Sequence, residues 1–245
     1  MRSLAFASRN RKELLRDPLN LAFGIGFPVV LLLLLSAIQA NIPVSLFRIA
    51  RLSPGVAVFG LSFMSLFSGT LIAKDRTTSF LMRLFASPLS ASDFILGYVL
   101  PLLPIALAQS AICFITSFFL GLSVNANVLL ALVVLIPTAI LFIGIGLLAG
   151  TVFTDKQVGA ICGALLTNVA AWLSGTWFDL NLVGGAFKTI AYLLPFAHAV
   201  DATRATIAGD YAAIMPHLWW VIGYAVAVAG IAIVVFKKKM SSDSM

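Results

Sequence analysis

Between Asp93 and Asp155 the chain runs for 61 residues, Phe94 to Thr154, without one Asp, Glu, Lys or Arg. A helix needs about 20 apolar residues to cross the hydrocarbon of a bilayer, so this run holds two crossings and the turn between them. Gly121 to Asn127 is the polar stretch that supplies the turn. The rest of the chain agrees: 61% of the residues are hydrophobic, 10% are charged, and the mean hydropathy is +1.06. A soluble domain of 245 residues has no interior large enough to hide that surface. The expected class is therefore an all-α polytopic membrane protein, one transmembrane domain over residues 1–245.

Six spans are expected, at about Leu19–Ala40, Val56–Ala73, Ile95–Leu120, Val128–Phe153, Val158–Phe178 and His217–Phe236. Pro101, Pro104 and Pro137 fall inside spans, where neighbouring helices must satisfy the carbonyls that proline leaves free. An even number of spans puts both ends on one side. Of the 16 basic residues, only Arg48, Arg51, Lys188 and Arg204 then fall in the outer segments. This bias places both termini in the cytoplasm. It also accounts for the net charge of +7 without nucleic acid, because the basic residues cluster in loops. Cys113 and Cys162 sit within spans and read as packing residues, not as a disulfide framework.

Residues 1–17 are a basic prelude. Arg2, Arg9, Lys12 and Arg16 share one arc of a helical wheel, and Leu4, Ala7, Leu14 and Leu15 share the opposite one. Phe6 and Arg11 fit neither. The pattern is that of an interfacial amphipathic helix on an anionic leaflet. A removable signal peptide is disfavoured, since the apolar stretch that follows is too long and lacks a cleavage site.

Residues 74–90 interrupt the apolar pattern. Phe80, Leu81, Leu84 and Phe85 fall on one side of a helical wheel, and Asp75, Ser79, Arg83 and Ser87 fall on the other with Arg76. This reads as a short two-faced helix with Asp75 at its start, where a negative charge suits the dipole, and Pro88 at its stop. Asp75-Arg76, then Leu84-x-x-Ser87-Pro88-Leu89-Ser90, then Gly97 resembles the segment after the second span in permease subunits of type-2 (exporter class) ABC transporters. The match departs by Asp75 for the usual Glu, Thr78 where Gly is common, Phe80 where an acid is common, and Tyr98 for Lys.

The resemblance implies that residues 74–90 are a coupling helix that docks on a separate ATP-hydrolysing subunit, with Asp75, Arg76, Thr77, Phe80, Arg83, Leu84 and Pro88 as the residues of interest. It also implies two permease copies (or a copy and a paralogue), two ATP-binding subunits, and a hydrophobic or amphipathic cargo such as a drug, peptide, lipid or glycan. The chain itself would bind no cofactor; ATP and Mg would sit on the partner. The site would be the plasma or inner membrane.

Other polar or small residues give weaker signals. Gly159 and Gly163 form a small-xxx-small face, which suits either the seam between two permease subunits or packing within one. Gln109, Thr167 and Asn168 lie in apolar spans and either touch cargo or bond to a neighbouring helix. Residues 179–215 form an outer segment, which the resemblance renders as short helices dipping into the outer leaflet. His198, Asp201 and Arg204 are three apart and share a helical face, as candidates for an outer gate. His and Asp with an Arg beside them make a poor metal site.

No catalytic set is present. Gly-x-x-x-x-Gly-Lys-Ser/Thr is absent, so this chain cannot cradle ATP phosphates in a P-loop. An ion-coupled secondary transporter is the alternative reading, but it needs intramembrane acids, and no Asp or Glu lies inside an expected span.

Overall fold

A computed structural model of the chain describes residues 2–42, 44–78 and 90–242. Every regular element among them is helical. The order is α1 (Arg2–Leu15), α2 (Pro18–Leu21), a π-helical stretch (Ala22–Gly26), α3 (Phe27–Asn41), a 3-10 turn (Ser45–Phe47), α4 (Ile49–Thr77), α5 (Ala91–Phe119) and α6 (Ala126–Val152). There follow α7 (Asp155–Val158), a second π-helical stretch (Gly159–Leu166), α8 (Thr167–Leu173), α9 (Leu180–Val183), α10 (Gly185–Leu193), α11 (Pro195–Ala208) and α12 (Tyr211–Ser242).

Among the described residues five helices are long and apolar enough to cross a membrane: Ala22–Asn41, Ile49–Thr77, Ser92–Phe119, Ala126–Val152 and Tyr211–Lys239. The segment expected as a further span, 158–178, differs. It is helical only to Leu173 and its first half is π-helical. Asp155, Lys156 and Gln157 occupy its first turn, and Thr167 and Asn168 interrupt its apolar half. Too few consecutive apolar residues remain to match the other five.

α4 is the hub. In its most apolar window 78% of the residues are buried, against 17% in the corresponding windows of Ala22–Asn41 and Tyr211–Lys239. It packs most closely on α6, and also on α5, α11 and α3. The approach to α6 is backbone to backbone. A Cβ on Gly146 would lie 2.0 Å from the Ser65 carbonyl oxygen, and one on Gly150 would lie 2.2 Å from that of Gly69. Ser68 Oγ donates to the Ile143 carbonyl at 3.0 Å across the same crossing. In lipid no hydrophobic force drives helices together, so such close contact and cross-helix bonding hold them.

α4 begins at Ile49, seven residues ahead of the expected span, and passes through Pro54. Proline there removes one helical bond, to the Ala50 carbonyl. Burial of Leu52, Val56 and Ala57 offsets that loss.

Candidate functional site

α1 docks on α5, and the residues that do it coincide only in part with the lipid-facing set that the wheel suggests. Phe6, Ala7, Asn10 and Leu14 are buried, while Leu4 and Leu15 are exposed. Phe6 meets Phe94 and Tyr98 edge-on, with ring centroids 5.5 and 5.0 Å away. Only glycine fits opposite: a Cβ on Gly97 would lie 2.2 Å from the Phe6 ring. Pro101 has no N–H to give to the Gly97 carbonyl four residues back. Asn10 Nδ2 donates to that carbonyl at 3.0 Å, so a side chain from α1 replaces the bond that the proline removes.

Above this contact the last turn of α4 carries three consecutive charges, each held by a different neighbour. Lys74 lies 3.9 Å from Asp17, which follows α1. Asp75 Oδ2 accepts from Arg9 Nη1 at 2.7 Å and from the Tyr98 hydroxyl at 2.9 Å. Arg76 Nη1 donates to the Gly150 and Phe153 carbonyls, at 2.9 and 3.2 Å, at the end of α6. A cation there suits the negative end of the α6 dipole. Asp75 therefore ends a long helix instead of starting a short one, where its own charge opposes the dipole and Arg9 and Tyr98 compensate. Thr77 bonds back to the Lys74 carbonyl. Phe80, Arg83, Leu84 and Pro88 lie outside the described residues. On the far side of them Ser90 caps α5: its hydroxyl accepts from the Asp93 amide at 3.2 Å, and the Asp93 carboxylate accepts from the Ser90 amide at 3.1 Å.

At the opposite end of the bundle α11 is tied down from all sides. Arg204 Nε donates to the Arg51 carbonyl at 3.1 Å and Nη2 to the Gly175 carbonyl at 2.9 Å. Its Nη1 lies 3.6 Å from Asp201, and Asp201 accepts from the Tyr192 hydroxyl at 2.8 Å. Burial pulls the Arg204 guanidinium below its ordinary value, and Asp201 opposes that shift. Burial first, and Asp201 second, push the Tyr192 phenol up to about 12. Arg51 pairs with Asp179 at 3.0 Å, and the Asn181 amide, with Arg51 adding to it, holds that carboxyl below its usual range. His198 Nδ1 faces His217 Nδ1 at 2.8 Å, and its Nε2 lies 2.9 Å from the Tyr192 carbonyl. A carbonyl only accepts, so His198 Nε2 carries the proton. Its Nδ1 then accepts, and His217 Nδ1 donates.

The model of the ABC-2 type transporter membrane family matches residues 3–208, from α1 through α11. The chain belongs to the ABC-2 type transporter family. A protein named as a transport permease, ycf38, from Porphyra purpurea is 30% identical over 212 residues, which cover 82% of this chain and 72% of that protein. Its namesake from Pyropia yezoensis is 28% identical over the same shares. The chain is accordingly a membrane permease of an ABC transporter, a transport subunit and not an enzyme.

Within this ABC-2 permease the remaining candidates fall in different places. Asp201 and Arg204 pair, and His198 is joined to them only through Tyr192, whose carbonyl it meets and whose hydroxyl donates to Asp201. Among the described residues no group of three His, Cys, Asp or Glu side chains is arranged to hold a metal. Gly159 and Gly163 separate: a Cβ on Gly163 would touch Leu66 of α4, whereas Gly159 faces open space. Thr167 and Asn168 bond back to carbonyls of their own helix, at Gly163 and Ala164. Gln109 is buried at the α4 crossing, in space left by Gly60, and its amide reaches Cys113 Sγ at 3.3 Å. Arg9, Asn10 and Tyr98 are the residues that sequence reasoning missed. Pro101 four residues after Gly97 was the available signal, since it announces a carbonyl in need of a donor.

Proposed function

We propose that this permease is the membrane half of an ATP-driven exporter and that residues 74–90 couple it to a separate ATP-binding subunit. The observation that carries the reading is the three-way hold on Lys74, Asp75 and Arg76. The chain enters residues 79–89 from a helix end bonded to α1, α5 and α6 together, and leaves through the capped start of α5. Force applied to that stretch by closing ATPase subunits would reach four helices at once, with little lost in slack. Two permease copies and two ATP-binding copies make the working transporter, with ATP and Mg on the partner. Gly159, on open surface, fits the seam between permease copies. The outer cluster around Arg204 then serves as the gate, and the cargo is hydrophobic or amphipathic.

In this topology the helical run from Asp155 to Leu173 is the fifth crossing, both termini and Arg83 face the cytoplasm, and Arg48 and Lys188 face out of the cell membrane. Cysteines placed singly at these positions, in a background lacking Cys113 and Cys162, test it with an impermeant thiol reagent. Labelling from outside at positions 48 and 188 is expected. Labelling from outside at position 83 rejects the topology and, with it, docking of 74–90 on a cytoplasmic ATPase.

A further inference from the structure

Arg11 is the residue of α1 that neither the amphipathic wheel nor the contact with Asp75 absorbs. Its helical neighbours, Ala7, Ser8, Leu14 and Leu15, carry no charge. The side chain is exposed, and among the described residues it has no ion-pair or hydrogen-bond partner. It stands at a groove of about 560 Å³ between α1 and α5. Leu4 and Leu15 form one wall of that groove, and Leu100, Pro104 and Ile105 form the other. The groove is within the roughly 300–1,000 Å³ of small-molecule sites.

No acid lines it. An unpaired guanidinium above a channel that is apolar apart from Ser8 has one well-matched class of ligand, a long apolar chain that ends in an anion. Arginine also binds phosphate through two parallel hydrogen bonds, a geometry that lysine lacks. The groove persists because both helices are fixed beneath it. Phe6 inserts against Gly97, and Asn10 bonds to the Gly97 carbonyl at 3.0 Å, so α1 cannot settle further onto α5. Pro101 and Pro104 present rings there, where longer side chains would fill the space.

From this geometry we infer that the groove between α1 and α5 is a discrete site for one anionic phospholipid, its phosphate on Arg11 and an acyl chain along Leu100, Pro104 and Ile105. This goes beyond adhesion of a basic helix to a charged leaflet, because it requires one position and one lipid per chain. It rests on the membrane reading above only for the placement of α1 at the bilayer surface.

The test is native mass spectrometry of the purified full-length chain, equilibrated with equal amounts of phosphatidylglycerol and phosphatidylcholine bearing the same acyl chains. One phosphatidylglycerol retained in preference is expected. Arg11→Gln should lower its retention about fivefold, the equivalent of one basic residue at a membrane surface. Lys12→Gln, which removes the same charge from a position that does not line the groove, should leave it unchanged. Ser8→Trp, which fills the groove without altering charge, should lower retention as Arg11→Gln does. Glycerol phosphate, the soluble headgroup, should not displace the lipid.

Equal retention of phosphatidylcholine, equal losses in the Arg11 and Lys12 variants, or displacement by glycerol phosphate would each overturn the site. If Arg11→Gln does not insert, unchanged retention in Ser8→Trp overturns it alone. The readout involves no ATPase, so a negative result leaves the transport reading standing.

Discussion

Arg9 and Asp75 are 66 residues apart in sequence, and their side chains meet at 2.7 Å. Asp75 is almost fully buried, with 5% of its side chain exposed, so its charge depends on Arg9 and Tyr98 in place of water. The pair fastens the N-terminal helix to the end of the hub helix. Tyr98 gives a hydrogen bond but no charge, and Arg9 supplies the cation from another helix.

Arg9→Ala is expected to destabilise the chain by roughly 1–3 kcal/mol, because it strips a partner from a buried acceptor. Arg9→Ala with Asp75→Asn should cost less than the sum of the two single changes, since the second removes the stranded charge. Thermal unfolding in detergent measures this. Strict additivity would show that the contact contributes nothing.

Gly146→Ala should destabilise by roughly 1–3 kcal/mol, the usual cost of overpacking, because the new Cβ meets the Ser65 carbonyl on a rigid neighbouring helix. Gly159→Ala should be neutral in the single chain, where the same atom meets open space. Gly163→Leu should disturb packing against Leu66, whereas Gly159→Leu should act on the association of two copies. Thermal unfolding and the mass of the purified assembly separate these effects. If Gly159→Leu leaves the assembly intact, that position is not at the seam.

His198 gives a pH dependence of defined sign. Burial holds His198 below its ordinary value of 6.5; the Tyr192 carbonyl and Asp201 oppose that shift, and His217 adds to it. A depressed value means that the folded state disfavours the charged form. The stability contribution is full above pH 6.5 and is lost as the pH falls through the lowered folded value. The facing Nδ1 atoms accommodate one shared proton but not two. The difference in unfolding temperature between wild type and His198→Gln should therefore shrink from pH 7.5 to pH 5. A difference independent of pH would contradict the arrangement.

Much of this was legible in the sequence. The uncharged run from Phe94 to Thr154 led to two of the long helices. Two capping boxes, Ser90-x-x-Asp93 and Thr154-x-x-Gln157, went unread although their spacing is the usual signature. The helix of Asp75 was misplaced because a wheel reports which residues share a face, not where a helix begins. The contact between Arg9 and Asp75 was beyond reach for a related reason: local periodicity carries no information about partners in another helix. Phe6 looked anomalous because the wheel was drawn against lipid, while its real neighbour is Gly97. The π-helix left no mark in the pattern, and of the two glycines whose spacing suggested one face only Gly163 meets α4.

The most direct test of the central claim is ATP hydrolysis by the permease reconstituted with its ATP-binding subunit. Asp75→Asn, Arg76→Ala, Phe80→Ala, Arg83→Glu and Leu84→Ala are compared singly, with membrane insertion checked in parallel. The account predicts that at least one inserts normally yet loses substrate-stimulated hydrolysis and transport. The Arg83→Glu defect should vary with salt if that contact is exposed. Wild-type hydrolysis and transport in all five would contradict the assignment of residues 74–90 as the coupling element.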